Sequence, residues 1–407
     1  MINVVRSLLW QGADKVYALP WLRHQVEIPS EPVRIAQFVK HRFTRSPTLI
    51  TLLSTFHLSR NSILVSSDAH AAHMRSLLLK SFPTADAYPA IAAQMMERMF
   101  DRRRFAPGEH KMDCPPEAVR TLYITLLETM LGVKILPPLR AVIDQTDFSP
   151  GWRPLRLEAL LYSLPINGTM LRLVCRVLDL GFFRQARRMR RVSAQLEALV
   201  RTAAEPLPGS WLDTLYREQQ AGRITQRHVA GEVTAMLVSS FSLASTLSFC
   251  LLCLSAAPWY IEKIRRDPDF ARHFLAEVLR LYPPFQQFGY RSLSGPGADP
   301  GPSADFLISA LFLHRNPSLW DLPNSFRPER FEEAQRHQRF GYLPFGMGAR
   351  LCPGRSYALR LLGEAIKAVC RADGPVTIVP RERMPLGSVD RIISFPRDGT
   401  FAFRIAS

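Results

Sequence analysis

The sequence is short of several things that would direct it outward. Its six cysteines, Cys114, Cys175, Cys250, Cys253, Cys352 and Cys370, have no spacing that reads as a secreted disulfide framework. No secretory signal opens the chain: Met1 to Trp10 is only weakly apolar and runs at once into Gln11, Gly12 and Asp14. The expected compartment is therefore a reducing cytoplasm. No internal repeat is evident, and no nucleic-acid recognition motif accompanies the basic residues. Charge is missing altogether from Val233 to Ile261. Length alone would make that run a membrane span. Its many serines (Ser239, Ser240, Ser242, Ser245, Ser248 and Ser255) and Pro258 near its far end argue instead for a buried core helix, and no integral membrane span is expected.

What is present points to a large globular core. The 407 residues are 47% hydrophobic, which suits a packed chain and not a disordered one. Acidic residues are outnumbered, 35 against 52 Lys and Arg, for a formal charge of +17. Such a surface is either simply solvated or docks an acidic protein or an anionic membrane. Arg184, Arg187, Arg188, Arg190 and Arg191 form one basic helical face, read as solvated. Cys250 and Cys253 make a Cys-x-x-Cys inside an apolar run with no second pair nearby, so they read as buried small hydrophobes. The Gly/Pro-rich stretch Gly295 to Ala304 interrupts one domain, residues 1–407, without dividing it.

The most informative stretch runs from Phe345 to Arg355. Cys352 sits where a glycine-rich loop meets the periodic apolar positions Ala358, Leu359, Leu361, Leu362, Ala365, Ile366 and Val369 of a helix. Pro353 suits a first helical turn. At a helix N-terminus the unpaired N–H groups and the dipole favour a thiolate. Gly346 and Gly348 allow a tight turn and a close approach to something flat. A thiolate with one open side is an axial metal ligand or a nucleophile; otherwise Cys352 is a buried structural cysteine.

The pattern Phe345-x-x-Gly348-x-Arg350-x-Cys352-x-Gly354 resembles the haem-binding loop of the cytochrome P450 superfamily. The resemblance runs from about Ser62 to the C-terminus and is strongest from Leu275 to Leu362. It implies a mainly α fold with a small β portion and an abbreviated N-terminal region. It also implies haem b as cofactor, with Cys352 as the axial ligand of its iron. Glu277-x-x-Arg280, an i, i+3 pair that alone would be a weak surface contact, resembles the family's Glu-x-x-Arg. Arg330 of Phe326-Arg327-Pro328-Glu329-Arg330-Phe331 then closes a buried triad that holds the thiolate loop. Arg75, Arg291 and Arg350 resemble the partners of the haem propionates, a task suited to the planar guanidinium fork. Phe285, Gln286, Gln287 and Phe288, with the turn near Ser388 to Ile392, are expected on the substrate side.

Two positions depart from the pattern. The His or Trp expected four residues before Arg75 is Ala71, with His70 and His73 as possible substitutes. On the long helix the family carries an acid followed by an alcohol for proton delivery. Aligned on Pro258, the acid is Phe241 and the alcohol is Ser242, and no carboxylate lies between Glu232 and Glu262. General acid catalysis normally contributes about 10²–10⁴-fold, so the loss matters. Ser239, Ser240 and Ser242 either order water and relay protons or are small residues chosen for packing.

The reading that follows is a haem-thiolate monooxygenase, with Phe241 and Ser242 deciding its proton path. It would oxidise a small organic molecule, in a biosynthetic pathway, with O2 and electrons from an acidic ferredoxin- or flavodoxin-type donor. An acidic carrier protein is a second possible partner; nucleic acid is not expected. The rivals are a peroxide-using or redox-neutral enzyme, for which Phe241 speaks, and a non-catalytic haem-binding sensor.

Overall fold

A computed structural model of the protein describes residues 15–19, 24–28, 43–45, 62–63, 68–135, 137–145, 206–292, 304–332, 341–387 and 393–405. The arginine-rich face at 184–191 and the turn at 388–392 lie outside these residues. In chain order the described elements begin with three strands, Lys15–Leu19 (β1), His24–Ile28 (β2) and Phe43–Arg45 (β3). Helices Asp68–Lys80 (α1) and Tyr88–Met99 (α2) follow, then strand Gly108–Asp113 (β4) and helices Cys114–Thr129 (α3) and Pro137–Gln145 (α4). The second half holds Trp211–Gln220 (α5), Gln226–Ala256 (α6), Trp259–Arg266 (α7) and Phe270–Leu281 (α8). Strands Gln287–Ser292 (β5) and Ala304–Ser309 (β6) then lead into the short helix Ala310–Leu313 (α9). The chain ends with Arg355–Cys370 (α10) and strands Thr377–Ile378 (β7) and Thr400–Ile405 (β8).

The helices follow from their patterning. In α10 the buried residues Tyr357, Ala358, Leu361, Leu362, Ala365, Ile366 and Val369 make one apolar stripe. In α6 burial runs round the whole helix from Val229 to Ser255, the mark of a central core helix. It passes the length and composition test for a membrane span, yet most of its apolar window is covered by protein. Thr225 occupies the N-cap of α6, and its N–H donates to His228 Nδ1 at 3.1 Å. Around α6 pack α3, α5, α8 and α10. Pro115 stands in the first turn of α3, which begins at Cys114.

Two sheets flank the helices. One has strand order β1-β2-β6-β5-β3, in which β2 pairs parallel to β6 and the remaining neighbours are antiparallel. The other has order β4-β8-β7, with Met112 opposite Phe401. In β8 the buried Phe401, Phe403 and Ile405 alternate with the exposed Thr400 and Arg404, the period-two signature of a half-covered strand.

One polar contact crosses the core at the head of α6. The carboxyl of Glu232, 2% exposed, accepts the Ile63 N–H at 2.6 Å. Burial pushes its pKa up to about 8. An unfolded chain releases that proton at an ordinary glutamate value of about 4.3. Between these limits the folded state binds a proton that the unfolded state has lost. Stability therefore falls as pH rises through the window, by up to ~1.4 kcal/mol per unit, and levels off above the folded value. Glu232→Gln keeps the acceptor and removes the ionisation. Thermal melts from about pH 5 to pH 8 are expected to show its advantage over wild type growing with pH; a constant difference would refute the assignment.

Candidate functional site

The loop carrying Cys352 is held open by two left-handed glycines, Gly346 at φ +72° and Gly348 at φ +60°. A side chain at Gly346 would be strained at that φ and would bring its Cβ within 3.1 Å of the Tyr290 hydroxyl and 3.6 Å of the Phe288 ring. A short 3₁₀ turn, Gly348–Arg350, follows, and the Cys352 N–H donates back to the Phe345 carbonyl at 3.0 Å. Helix α10 begins three residues later with Gly354 as its N-cap, so Pro353 stands just before the cap and not in the first turn. Cys352 is half-buried. A Cβ on Gly354 would lie 3.9 Å from its sulfur, an ordinary contact. The loop is stapled on both sides: Phe345 packs on the large core, while Leu343 and Met347 sit in a small second core with Tyr290, Ile308 and Leu313.

Behind the loop stands the ion-pair triad. Glu277 and Arg280 are both fully buried. Arg280 meets the carboxylate through Nε at 2.7 Å and Nη2 at 2.8 Å, a bidentate pair. Arg330 Nε reaches Glu277 at 3.2 Å, and the Arg327 backbone N–H donates to it at 2.7 Å. The remaining guanidinium hydrogens are used on backbone carbonyls: Arg280 on His314, Pro323 and Ser325, Arg330 on Asp321, Leu322 and Ser325. Leu322, the one non-glycine residue at positive φ (43°) among the described residues, turns its carbonyl toward Arg330. Arg280 also lies over the Trp320 ring at 5.1 Å.

Of the other expected residues, Arg75 and Arg350 lie at the loop. Arg75 on α1 donates from Nη1 to the Leu351 carbonyl, so its guanidinium stands beside Cys352. Arg350 is half-buried in the loop itself. Arg291 lies in β5, its backbone opposite Thr44 and Asp305. Ala71 is buried on α1. Of its two suggested substitutes, His73 is taken by Glu218, with Nε2 at 3.0 Å from the carboxylate. His70 instead faces His228, ring centroids 4.7 Å apart, and its buried Nε2 has no hydrogen-bond partner among the described residues. Burial, with His228 and His73 nearby, holds its pKa below the ordinary histidine value.

The expected substrate-side segment is Phe285 to Phe288. Phe285 bridges Ile393, and the Ser394 N–H donates to the Pro284 carbonyl at 2.8 Å, so this segment lies beside residues 393–394. Gln286 is buried and Gln287 half-buried. Phe288 is partly buried, its ring packed on the small core next to Gly346. Strand alternation in β5 puts it on the same face as Tyr290.

On α6, Phe241 is buried in the large core and Ser242 is half-buried. The serine hydroxyls turn back onto their own helix. Ser239 donates to Met236 O at 2.5 Å, Ser240 to Leu237 O at 2.6 Å, and Ser242 to Ser239 O at 2.8 Å. The Ser242 carbonyl in turn accepts from Thr246 Oγ1 at 3.1 Å. Cys250 and Cys253 are fully buried, and burial raises both thiols well above the ordinary cysteine range, which makes them poor ligands or nucleophiles.

The comparisons agree with this geometry. Residues 269–363 match the family model described as Cytochrome P450. Over that stretch the chain is similar to the cytochrome P450 superfamily. Thromboxane-A synthase of Macaca fascicularis is 30% identical over 169 residues, 34% of this chain and 31% of that one. Cytochrome P450 4A14 of Rattus norvegicus is 26% identical over 237 residues, 51% and 46% of the two chains. Trans-cinnamate 4-monooxygenase of Pisum sativum is 45% identical over 75 residues, 17% and 15%. The chain thus matches less than half the length of each of these relatives. The solved structure of cytochrome P450EX alpha (CYP152N1) with myristic acid covers 99% of this chain and 93% of its own, at TM-score 0.70 and 16% identity, and so shares the P450 fold.

The donor set fits the family's haem b. A half-buried sulfur stands on a loop whose glycines keep bulk away, with Arg75 and Arg350 at the loop's edge. The triad is expected to be what stability measurements feel first. Glu277→Gln leaves Arg280 buried without its counter-charge, an effect of about 3–5 kcal/mol in comparable buried pairs. Denaturant unfolding is the check, and a loss under about 1 kcal/mol, the range of a solvated pair, would show that the triad is not held dry.

Proposed function

We propose that the protein is a haem-thiolate oxidoreductase of the monooxygenase type, oxidising a small organic molecule with O2 and electrons from a separate donor. The observation that carries this reading is the Cys352 loop: one half-buried sulfur between two left-handed glycines and a helix N-terminus, anchored to a buried ion-pair triad. When bound, haem supplies oxygen activation, with electron density pushed from a thiolate ligand. Cys352 would hold the iron. Arg75, Arg350 and Arg291 would face the propionates, and Phe345, Gly348 and Gly354 would shape the loop against the macrocycle. Phe285, Gln286, Gln287 and Phe288, together with the segment at Ile393, would bound the substrate. The myristic acid in the structural neighbour makes a fatty acid one candidate substrate class. The formal charge of +17 supports an acidic donor, of ferredoxin or flavodoxin type, and is equally suited to an acidic carrier protein.

The ligand assignment is tested by the Soret band of the reduced carbon-monoxide complex. Cys352→Ala is expected to abolish the thiolate-type band, while Cys250→Ala and Cys253→Ala leave it unchanged. A thiolate-type band persisting in the Cys352 variant sinks the assignment.

A second reading, peroxide-driven or redox-neutral chemistry, is favoured by Phe241, which puts a phenyl ring where the family carries an acid. The protonation step then needs either water held by the α6 hydroxyls or no delivered proton at all. In the monooxygenase reading, Ser242 turns from the Ser239 carbonyl to hold a water and pass on its proton. Ser242→Ala should then lower the ratio of product formed to reductant consumed by about 10²-fold or less, the lower range of general acid effects. An unchanged ratio, with turnover on added peroxide and no donor, selects the second reading. A sensor would bind ligand with no turnover under either condition.

A further inference from the structure

His314 has no place in the readings above, yet it joins the triad to the cysteine loop. It is fully buried, at the end of α9. Its Nδ1 lies 3.1 Å from the Arg280 carbonyl, and the Leu343 N–H points at its Nε2 from 2.8 Å. A carbonyl only accepts and an amide only donates. The proton must therefore be on Nδ1, and Nε2 must be bare. The ring is a neutral imidazole in a single tautomer, with both nitrogens used. Burial supports this by lowering its pKa to about 3. Its own backbone is fixed by Arg280, whose Nη1 donates to the His314 carbonyl at 2.6 Å. From Leu343 the connection continues through the loop: the Gly346 N–H donates to Leu343 O at 3.2 Å, and the Cys352 N–H to Phe345 O at 3.0 Å. Beside the ring, Tyr342 lies 5.3 Å from His314 and ties the same segment to α8 through Ala276.

We propose that His314 is a positioning residue for the thiolate loop: its Nδ1–H tautomer bridges the carbonyl of Arg280 in the triad helix to the backbone N–H of Leu343, and so fixes where Cys352 stands. The inference rests on the proposal that Cys352 ligates haem iron, but only in its spectroscopic part. A histidine that merely fills the core would tolerate any substitute of similar volume equally well. A positioning histidine distinguishes between its two ends. A glutamine amide reaches the place of Nε2 and keeps the acceptor for Leu343. An asparagine amide reaches only the place of Nδ1 and keeps the donor to Arg280.

The experiment compares wild type, His314→Gln and His314→Asn. Amide hydrogen exchange is read at Leu343 and needs no haem. Protection is expected in wild type, retained within about twofold in the glutamine variant and lost by about tenfold or more in the asparagine variant, the factor one hydrogen bond of ~1.4 kcal/mol represents. The reduced carbon-monoxide complex is read beside it. The ratio of thiolate-type to other Soret absorbance should fall about tenfold in the asparagine variant only, while both variants melt lower than wild type. Equal ratios in the two variants, or the reverse order, overturn the proposal. So does fast exchange at Leu343 in wild type, which decides the matter even if neither variant folds. A wild type without any thiolate band would remove the ligand assignment and leave the exchange result to judge His314.

Discussion

A carboxylate with no exposure to water organises the C-terminal half of this protein. Taking Glu277 out of solvent is costly, and two guanidiniums and one backbone amide offset that cost. The guanidiniums have their own desolvation to offset, and do so on carbonyls between residues 314 and 325. This is why the segment from α9 to Phe331, which has little regular structure, is nevertheless ordered around α8. Its peptide carbonyls are the solvation shell of two buried cations. Removing any one partner leaves the others charged and dry, so the unit is all-or-none.

The chemistry of the cysteine loop depends on that unit in two ways. A sulfur that is to ligate a metal, as proposed for Cys352, needs its surroundings fixed without being filled. The loop achieves this by placing large side chains on either side and glycines at the turn. Phe345 enters one core, Leu343 and Met347 the other, and Gly346 lets the chain pass under Tyr290 and Phe288 with no room to spare. Packing alone has some give at each contact. Directional bonds from α8, through Arg280 and Tyr342, add what packing lacks.

Much of this was legible in the sequence, for identifiable reasons. The stripes of α8 and α10, the uncharged run of α6, and the residue types in the Phe345-to-Gly354 loop are local signals, and local signals survive in one dimension. Glu277, Arg280 and Arg330 were legible only because a resemblance supplied their partnership; spacing alone made the first pair ordinary. What was not legible is non-local. Nothing in the sequence says that β2 pairs parallel to β6 or that β3 joins β5. The placement of Phe288 is a matter of strand register, since one residue's shift would take its ring off the face it shares with Tyr290. His314 lies in a polar run, Leu313-His314-Arg315-Asn316, that looks like an exposed turn. Only the fold reveals that its two nitrogens meet one acceptor and one donor from distant segments.

The uncharged stretch of α6 follows from the same electrostatics. Glu232, at the head of that helix, shows what the environment does to a carboxyl: with one amide for company its pKa rises to about 8. Position 241 lies deeper along the same helix, in the large core and equally covered. A carboxyl there, without a guanidinium, would be held neutral by the same desolvation. The chain instead carries phenylalanine at this position and hydroxyls around it. Each of the hydroxyls at 239, 240 and 242 donates to the carbonyl three residues back, so none imposes an unpaired donor on an apolar helix. Those bonds leave the oxygen lone pairs available, and a hydroxyl rotor exchanges an intrahelical acceptor for a water at little cost, whereas a buried carboxylate must recover a whole charge's hydration. Beyond Glu232 the helix thus keeps groups able to hold a proton while excluding every group that would hold a charge, and its function has to be understood within that limit.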